Sequence, residues 1–586
     1  MKHKLLLFFT LITTFLQAQG FNQYDRLWST YVGGNGLVSP YMVNDNSGNI
    51  IIAGSEINPN IYFQDTVIRE YFQNFIHPIN NPMMYQTDDY RVSYIAKITP
   101  EGNIIQAGYL PYYIRDIIID NNNDIIIYGS TLRTDLGTSD VWFSESISND
   151  LNGQSNPLIS KLDFNFNTLW TSYLPTRATF NHITTDENGN IYGSGRASIQ
   201  NGITTEGTFY PTYNVGMNEG NALLFKLNTN GQLVWSTYYG NGEIVDIQYH
   251  NQKLFLVWNF VNSSLDSYNF PTITSDAYQN TPTHSILARF NAINGQRELA
   301  TYFGESDKLT LSYIEVNNDA IYIAGDTSIF SANSPFITPN SYQPIFGGGY
   351  TDYYLGKLDL NFNPIWGTYI GGNSSEFVDV EQKDLNFIDN HIYFKGSTES
   401  TDLIFDGNTF RSNNAGNNDL LMMKFNANGQ LVWGSFYGSD GIEDLPSLLP
   451  IDDETFYLVG RTDSPKDITT PNSHQQYYSY LPNNGDFGQL FLAKFGRNDD
   501  LSVSDISTST LKIYPNPTKD KVYIKGFIHQ DSWIEVYNLV GQKVVTQKTK
   551  SGLTQTIDVQ FLPKGTYIIK ATDINGKPFQ EKLLIN

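Results

Sequence analysis

The sequence predicts an all-β chain: a seven-bladed β-propeller with four antiparallel strands per blade, closed by an N-terminal strand and followed by a small Ig-like β-sandwich. A long and steady repeat is the main reason, because such a period indicates a repeat architecture. Basic residues recur at intervals of 64, 65, 63, 68, 67 and 70 residues, at Lys97, Lys161, Lys226, Arg289, Lys357, Lys424 and Lys494. An aromatic residue follows each of the first six after 12 or 13 residues, at Tyr109, Tyr173, Tyr238, Tyr302, Tyr369 and Phe436.

Each repeat contains four apolar runs of strand length, which we name A to D in chain order. The runs are rich in Ile, Val, Tyr and Phe and are bounded by Asn, Asp and Gly, as is typical of strands. Strand C carries the basic residue, and strand D has a Trp-x-x-Tyr pattern in most units. Turns such as Asn228–Gly231 suit tight hairpins because Asn and Gly tolerate positive φ. Four antiparallel strands repeated seven times predict a propeller.

The seventh repeat lacks its aromatic strand, since residue 506 is Ile506. The missing pattern stands at the other end of the repeats, as Trp28-Ser29-Thr30-Tyr31. We therefore expect this segment to pair with Phe491–Phe495 and close the ring, which would remove an open sheet edge.

Two short motifs resemble those of a seven-bladed propeller repeat family found in bacterial surface proteins. One is Trp28-Ser29-Thr30-Tyr31-Val32-Gly33-Gly34, and the other is a Ser/Ala-aromatic-Gln element at Ala277-Tyr278-Gln279, Ser341-Tyr342-Gln343 and, with His474 in the middle, Ser473-His474-Gln475. The resemblance covers roughly residues 20–496. It implies the fold but leaves the function open, because this fold hosts many activities.

The N-terminus predicts a secretory signal peptide over residues 1–18. Lys2 and Lys4 precede the apolar run Leu5–Leu16, and Ala18 is the small residue after which we expect cleavage. A buried N-terminal strand or helix is the alternative. The run is too short to span a membrane, and no later segment approaches about twenty apolar residues, so no transmembrane segment is expected.

The tail differs in composition from the ring. Residues 19–497 form the predicted propeller, 498–510 a Ser-rich linker, and 511–586 a separate domain with eleven Lys and six acidic residues. Its blocks Ile513-Tyr514-Pro515-Asn516-Pro517, Val536-Tyr537-Asn538-Leu539, Leu562-Pro563-Lys564-Gly565 and Lys582-Leu583-Leu584-Ile585 closely resemble the type A C-terminal sorting domain of the type IX secretion system. The resemblance implies the type IX machinery as a partner. It also implies secretion, or display on the outer surface of a Gram-negative bacterium, after periplasmic transit. A generic sandwich that stiffens the C-terminus is the alternative.

The sequence offers no clear catalytic constellation. The chain has no Cys, and its eight His are scattered without metal-ligand spacing. We therefore expect no catalytic residue, no cofactor site, no metal site and no enzymatic activity. A pair of carboxylates converging in the central channel, as in glycosidases, is the alternative.

The Asp-Asn-Gly turns allow two interpretations. Asp45–Asn49 and Asp186–Asn190 place oxygen ligands close together, which suits calcium. Neither has the twelve-residue loop that ends in a Glu, and hairpins require the same residues. We favour plain turns, and no cofactor is predicted.

The long connections between strands B and C predict the binding surface, because strand alternation puts them at one face of the disc. Trp142, Tyr213 and Tyr350 are the candidate ligand-binding residues in them. The preferred function is an exported binding or adhesion protein for a surface glycan or protein. The alternatives are a polysaccharide lyase or hydrolase with carboxylates at the channel mouth, and a structural matrix protein. Residues 19–510 carry 23 basic and 53 acidic side chains, which argues against nucleic acid and anionic membranes as partners.

Overall fold

The structure is a computed structural model. It describes residues 24–35, 37–56, 93–146, 155–177, 182–197, 202–212, 221–240, 242–260, 273–306, 308–317, 319–330, 334–376, 385–403, 405, 409–471, 473–478, 488–497, 512–525, 533–549, 554–572 and 578–586. The predicted signal peptide with Ala18, and the predicted linker 498–510, lie outside these residues. The chain divides into two compact units, Met1–Arg497 and Asn498–Asn586. The described residues contain no helix that could cross a membrane.

The described strands of the first unit follow one another as four-stranded repeats. They are β1 (Tyr24–Asn35), β2 (Leu37–Asn44), β3 (Ile50–Glu56), β4 (Ser93–Ile98), β5 (Ile104–Leu110), β6 (Tyr113–Ile119), β7 (Ile125–Thr131), β8 (Asn156–Leu162), β9 (Thr168–Tyr173), β10 (Thr176–Arg177), β11 (Ile183–Thr185), β12 (Ile191–Ala197), β13 (Ala222–Leu227), β14 (Leu233–Tyr238), β15 (Gly242–His250), β16 (Lys253–Phe260), β17 (Ser285–Asn291), β18 (Arg297–Phe303), β19 (Leu309–Val316), β20 (Ile321–Thr327), β21 (Asp352–Leu358), β22 (Pro364–Ile370), β23 (Leu385–Ile388), β24 (His391–Thr398), β25 (Asp419–Asn426), β26 (Leu431–Tyr437), β27 (Glu443–Pro450), β28 (Thr455–Thr462) and β29 (Gln489–Arg497).

These strands form seven antiparallel sheets within the described residues, which we number as blades. Blade 1 is β2–β5, blade 2 is β6–β9, blade 3 is β10–β14, blade 4 is β15–β18, blade 5 is β19–β22, blade 6 is β23–β26, and blade 7 is β27–β29 with β1. In blade 3 the described inner segments are β10 and β11, and both pair with β12. The predicted all-β propeller is confirmed.

The N-terminal strand closes the last blade, as the sequence predicts. β1 pairs with β29 in antiparallel register, with Trp28 opposite Lys494 and Tyr31 opposite Phe491. Blade 7 then packs on blade 1 through a buried cluster that includes Val459, Leu490, Ile50 and Ile52. Comparable apolar clusters fill each of the other six interfaces between consecutive blades. The core is therefore a circle of contacts between blades.

One polar contact recurs between blades, and we call it the turn–indole contact. A strand D tryptophan donates its Nε1–H to a carbonyl in the C–D turn of the next blade. The pairs are Trp28 to Pro100 (3.1 Å), Trp170 to Thr229 (3.0 Å), Trp235 to Ala292 (3.1 Å) and Trp366 to Ala427 (3.2 Å). A glycine of positive φ in the same turn lies under each indole, at Gly102, Gly231, Gly295 and Gly429. The Trp-x-x-Tyr pattern is thus a contact between blades.

The recurring basic residues of strand C bind the same turns. Lys357 Nζ donates to Ala427 O at 3.0 Å, and Lys494 Nζ donates to Pro100 O at 3.3 Å across the closure. Lys97 donates to Phe164 O, and burial lowers the pKa of its ammonium to about 8. The partner is therefore often a backbone carbonyl, although Lys161 also pairs with Asp120 at 2.8 Å.

Two further blade interfaces are held by other contacts. Gln106 replaces the tryptophan in blade 1, and its Nε2 donates to Asn165 O at 2.7 Å. Trp433 of blade 6 faces the place where the chain enters and leaves the ring. It packs on the Tyr24 ring of β1 at 5.1 Å between centroids, and Lys424 Nζ bonds the Tyr24 hydroxyl at 2.7 Å.

The described parts of the B–C connections run along the outer strands. A threonine N–H of the connection donates to a strand D carbonyl, at Thr138 to Thr171, Thr205 to Ser236, Thr274 to Ala300, Thr338 to Gly367 and Thr470 to Ser29. The glutamine of the Ser/Ala-aromatic-Gln element adds a second bond, since Gln279, Gln343 and Gln475 donate N–H to a strand D threonine hydroxyl at 2.8 Å each. These connections cover the outer sheet edges, which would otherwise be open.

The second unit is a small two-sheet β domain, as predicted. One sheet has β30 (Lys512–Tyr514), β31 (Lys521–Lys525) and β34 (Thr554–Asp558). The other sheet has β32 (Trp533–Asn538), β33 (Lys543–Lys548), β35 (Gly565–Thr572) and β36 (Pro578–Ile585). Buried residues of both sheets, among them Val522, Ile534 and Ile569, form its core.

The turn–indole contact can be tested with Gly231→Ala. Its φ is +78°, and an added β-carbon would stand 2.8 Å from the Trp170 ring. We expect the free energy of unfolding to fall by about 1–2 kcal/mol because of left-handed backbone strain, and by about 1–3 kcal/mol more because of overpacking. Denaturant unfolding measures the total. Gly202→Ala is the matched control, because its φ is +79° and nothing lies within 4 Å of the new carbon. Equal losses in the two variants would contradict a packing role for Gly231.

Candidate functional site

The inner strands of the blades surround a cavity of about 330 Å3. Residues from six blades line it, which identifies it as part of the central channel. Its polar lining residues are Tyr41, Asp116, His182, Thr184, Thr185, Asp246, Gln248, Asn386 and Ser447. The cavity lies at the lower end of the size range of ligand sites, so it suits one small unit of a ligand.

A β-bulge delivers the same position of several inner strands to this channel. The register shifts immediately before Tyr41, Asp116, Asp246, Tyr313 and Ser447. His182 takes this position in blade 3, since the following residue, Ile183, pairs with Gly193. Bulges redirect a side chain and are common near functional sites. Strand periodicity does not reveal a bulge, so these residues are not predicted from the sequence.

Two of these residues are carboxylates that join neighbouring blades. Asp116 Oδ2 accepts the Ile183 N–H of blade 3 at 2.7 Å, and Asp246 Oδ2 accepts the Ile314 N–H of blade 5 at 2.8 Å. The other oxygen of each carboxylate accepts the N–H of the next residue in its own strand, at 2.9 and 2.8 Å. Both carboxylates are therefore engaged by backbone donors.

His182 is the channel residue best suited to proton transfer. Its Nδ1 lies 3.4 Å from Asp116 Oδ2, and its ring centroid lies 6.1 Å from that of Tyr313. A carboxylate beside Nδ1 favours the proton there, which makes Nε2 the basic nitrogen of the neutral ring. An imidazole held in this way can accept or donate a proton in the channel.

The turns considered for calcium are satisfied from within. Asp45 Oδ1 accepts the N–H groups of Ser47 and Asn49 at 2.8 and 2.9 Å, and Oδ2 accepts the Asn49 amide at 2.8 Å. Asp186 makes the same bonds in its own turn. These bonds support the plain-turn interpretation. No group of three or more His, Asp or Glu placed to hold a metal ion occurs within the described ranges.

The three predicted ligand-binding aromatics do not share one environment. Trp142 is half-buried between blades and packs on Phe143 and Phe225, with ring centroids 5.2 and 5.4 Å away. Its N–H also donates to Gly231 O of the next blade at 2.8 Å. Tyr350 is 86% exposed. Tyr213 lies outside the described residues, as do Tyr62, Tyr71, Tyr85, Tyr90 and Tyr268 of the other connections.

Residues 512–586 match the family described as "Secretion system C-terminal sorting domain". The protein is therefore an exported one, secreted or held at the outer cell surface. Among curated proteins, "Ulvan lyase NLR42" of Nonlabens ulvanivorans is 31% identical over 86 residues. That match covers 15% of this chain and 16% of the relative, so the chain spans only a small part of that relative's length.

Several solved structures are also similar. Polysaccharide lyase Uly1 has 9% identity and a TM-score of 0.36, over 79% of this chain and 90% of that chain. A Dyadobacter fermentans protein of unknown function has 8% identity and a TM-score of 0.34, over 81% and 99% of the two chains. The Pyrococcus horikoshii acylaminoacyl peptidase has 10% identity and a TM-score of 0.35, over 87% and 60%.

The expectation of a non-enzymatic protein is corrected by the curated relative, which is named as a lyase. Residues such as Asp116, His182 and Tyr313 come from different repeats and lie close together only in the folded ring, so their spacing in the sequence does not indicate a common site.

The environments of Trp142 and Tyr350 predict different effects of substitution. Trp142→Ala should cost about 2 kcal/mol, roughly half of what a fully buried tryptophan contributes, because it removes contacts between blades. Tyr350→Ala should change the free energy of unfolding by less than about 0.5 kcal/mol, since its side chain is exposed. Denaturant unfolding of both variants measures the difference. A Trp142→Ala protein as stable as the parent would contradict the packing role.

Proposed function

We propose that this protein is an exported polysaccharide-active enzyme, a lyase whose reaction centre is the channel around His182. The observation that carries the proposal is the His182–Asp116 pair in a cavity of ligand size. The similarity to a protein named as an ulvan lyase supports the same reaction class.

The channel chemistry favours elimination over hydrolysis. Glycoside hydrolysis commonly uses two carboxyl groups, one as acid and one as base or nucleophile. The channel carboxylates Asp116 and Asp246 each accept two backbone N–H bonds, so their oxygens are engaged in contacts within and between blades. The imidazole of His182, which lines the cavity, is suited to removing and returning a proton.

The proposed step is a β-elimination on a uronate unit of the polysaccharide. His182 Nε2 accepts the proton from the carbon next to the carboxylate of the sugar. The C–O bond to the neighbouring sugar breaks, its electron pair leaves with the oxygen, and a C=C bond forms in the ring. The leaving oxygen takes this proton back from His182, so the imidazole returns to its starting state and no water is consumed.

The charge of the ring bears on the substrate. Residues 19–510 carry 53 acidic and 23 basic side chains, and this excess repels a polyanion at low ionic strength. Salt screens such repulsion beyond about 8 Å at physiological ionic strength. Assays therefore belong at physiological salt or above, where approach of a uronate chain is least opposed.

His182→Asn tests the proposal. The full chain is incubated with uronate-containing and with neutral polysaccharides, and both the ultraviolet absorbance of unsaturated product and the reducing ends are measured. We expect unsaturated product from a uronate substrate, and a rate at least about 100-fold lower in His182→Asn at an unchanged melting temperature.

His250→Asn is the control, because His250 ends β15 and bonds Asn251 at 2.8 Å outside the channel lining. It should keep the parental rate. Undiminished activity in His182→Asn would refute the channel site, and reducing ends without unsaturated product would refute elimination.

We further propose that the ring belongs to the seven-bladed surface-protein repeats that it resembles. Within this proposal residues 1–18 are a signal peptide cut after Ala18, and 498–510 link the ring to the sorting domain 511–586. Tyr350, exposed beside Gly347–Gly349, is kept as a sugar-stacking residue outside the channel. Tyr213 and Trp142 are kept in the same role only as weaker candidates, and Trp142 mainly as a packing residue.

The type IX secretion machinery is the proposed partner of residues 511–586. Truncation before Leu511 should leave a folded ring in the periplasm, because the signal peptide still acts while the outer-membrane step lacks its signal. Cell fractionation measures the distribution, and the parental melting temperature of the purified ring confirms folding. Truncated protein outside the cell at the parental level would count against this partner.

A further inference from the structure

Two buried carboxylate pairs occupy the same position at successive blade interfaces. Asp352 begins β21 of blade 5, and Glu376 precedes β23 of blade 6. Asp419 and Glu443 repeat this arrangement between blades 6 and 7. Each pair member is shifted by 67 residues, the same interval as Lys357 to Lys424. All four side chains are fully buried.

The two carboxylates of each pair converge beside a glycine. A β-carbon at residue 371 would meet Asp352 Oδ1 at 2.4 Å and Glu376 Oε2 at 2.7 Å. A β-carbon at residue 438 would meet Asp419 Oδ1 and Glu443 Oε2 at 2.4 Å each. The glycines therefore leave room for two carboxylate oxygens at one point in each interface.

The same hydroxyl groups hold both glutamates. Thr398 Oγ1 donates to Glu376 Oε1 at 2.8 Å, and Ser400 Oγ also donates to that oxygen. Thr462 Oγ1 likewise donates to Glu443 Oε1. The second pair has an additional donor, since Ser439 N–H bonds Glu443 Oε2 at 2.8 Å. Within the described residues, Asp352 Oδ1 and Glu376 Oε2 both lack a hydrogen-bond partner, whereas at the second pair Asp419 Oδ1 lacks one and Glu443 Oε2 does not.

The residues that flank the two pairs differ in charge. Arg411 stands beside the second pair and donates to Gly438 O. The equivalent residue at the first pair is the neutral Gln343. Gln343 N–H bonds Thr368 Oγ1 at 2.8 Å, as Arg411 N–H bonds Ser435 Oγ at 2.9 Å. Two residues after Ser400 the first site has Asp402, and two residues after Ser464 the second has Lys466.

The first pair is therefore short of positive charge. Burial raises the pKa of Asp352 to about 7, and repulsion by Glu376 and Asp402 adds to the effect. Burial also raises the pKa of Glu376. At the second pair, the Arg411 guanidinium opposes the rise at Asp419. A buried carboxylate without a counter-charge is costly, and a bound cation is one way to offset that cost.

We propose that Asp352 and Glu376 bind a hard divalent cation of the calcium type, and that Arg411 fills the same electrostatic role at Asp419 and Glu443. The donor set consists of oxygens, which calcium prefers, and neutral oxygens and water complete its shell. Asp402 adds negative charge nearby and is not needed as a direct ligand. The cation would join blade 5 to blade 6.

Calcium binding to the full chain tests this inference. Chelator-treated protein is titrated with CaCl2 at a pH above the raised pKa of Asp352, and bound calcium per chain is counted by mass spectrometry of the metal. Glu376→Gln should remove one bound ion, whereas Glu443→Gln should keep it. Calcium should raise the melting temperature of the parent by roughly 2–4 °C and that of Glu376→Gln by less.

Exchanging the flanking charges gives a second, gain-of-function test. Gln343→Arg should abolish calcium binding at Asp352 and Glu376, because the guanidinium supplies the positive charge in place of the ion. Arg411→Gln combined with Lys466→Asp should add one bound ion per chain at the second pair.

Equal stoichiometry in the parent and in Glu376→Gln would overturn the inference, and so would a Gln343→Arg protein that still binds the ion. Because all of these readouts are binding and stability, failure here is distinguishable from failure of the proposed lyase activity.

Discussion

The turn–indole contact is the interaction on which the ring depends. Four C–D turns among the described residues offer a left-handed glycine, and the preceding blade places an indole against each, as Trp170 does against the turn at Thr229, which Lys161 also bonds. The glycine is required because a β-carbon would overlap the indole, and its positive φ suits the hairpin as well. The same glycine thus meets two requirements. It adopts the conformation that the hairpin in its own blade needs, and it allows the indole of the neighbouring blade to pack closely. Stability in such an array is mainly a matter of interfaces between neighbours, so this contact, repeated around the ring, determines how firmly the blades hold together.

A repeated fold also lets equivalent positions be compared within one chain. At the inner bulge, Asp116 and Asp246 bridge to the next blade, whereas His182 and Tyr313 stand at the same position in blades 3 and 5. At these two interfaces the carboxylate of the preceding blade supplies the contact. The equivalent residue of the following blade is not needed for it and is available for chemistry. The carboxylate pairs follow the same logic, because Arg411 supplies positive charge at one pair and the neutral Gln343 leaves the equivalent pair to the proposed cation. Both proposed sites lie where a repeat departs from its neighbours.

Much of the fold was predictable from the sequence, because its signals are local or strictly periodic. The displaced Trp28–Tyr31 segment indicated closure, and Lys494 with no following aromatic indicated its partner. The channel residues were not predictable, since the bulge before Asp116 depends on how β6 pairs with β7, which the spacing of residues does not encode. Trp142 carries no local mark of its packing on Phe225 of the next blade. The aromatic-rich connections suggested an exposed face, yet several of them contribute backbone bonds to strand D. Distinguishing these roles requires knowing which repeats are neighbours and at what register.

Closure by β1 has a consequence for the order in which the ring can form. About 460 residues of chain separate Trp28 from its partner Lys494, whereas a hairpin within a blade joins strands about 15 residues apart. Loop-closure entropy rises by only about 0.6 kcal/mol for each doubling of length, so this join costs roughly 3 kcal/mol more than a local hairpin. This extra entropic cost is small compared with the free energy that the apolar contacts of two interfaces contribute. It opposes closure, however, before any of those contacts form. The earliest strand of the ring, β1, therefore pairs only after the last one, β29, has been made, and until then β1 and β29 each have an unpaired edge. For a chain that is exported, this interval between synthesis and closure is when its edges are open to other chains.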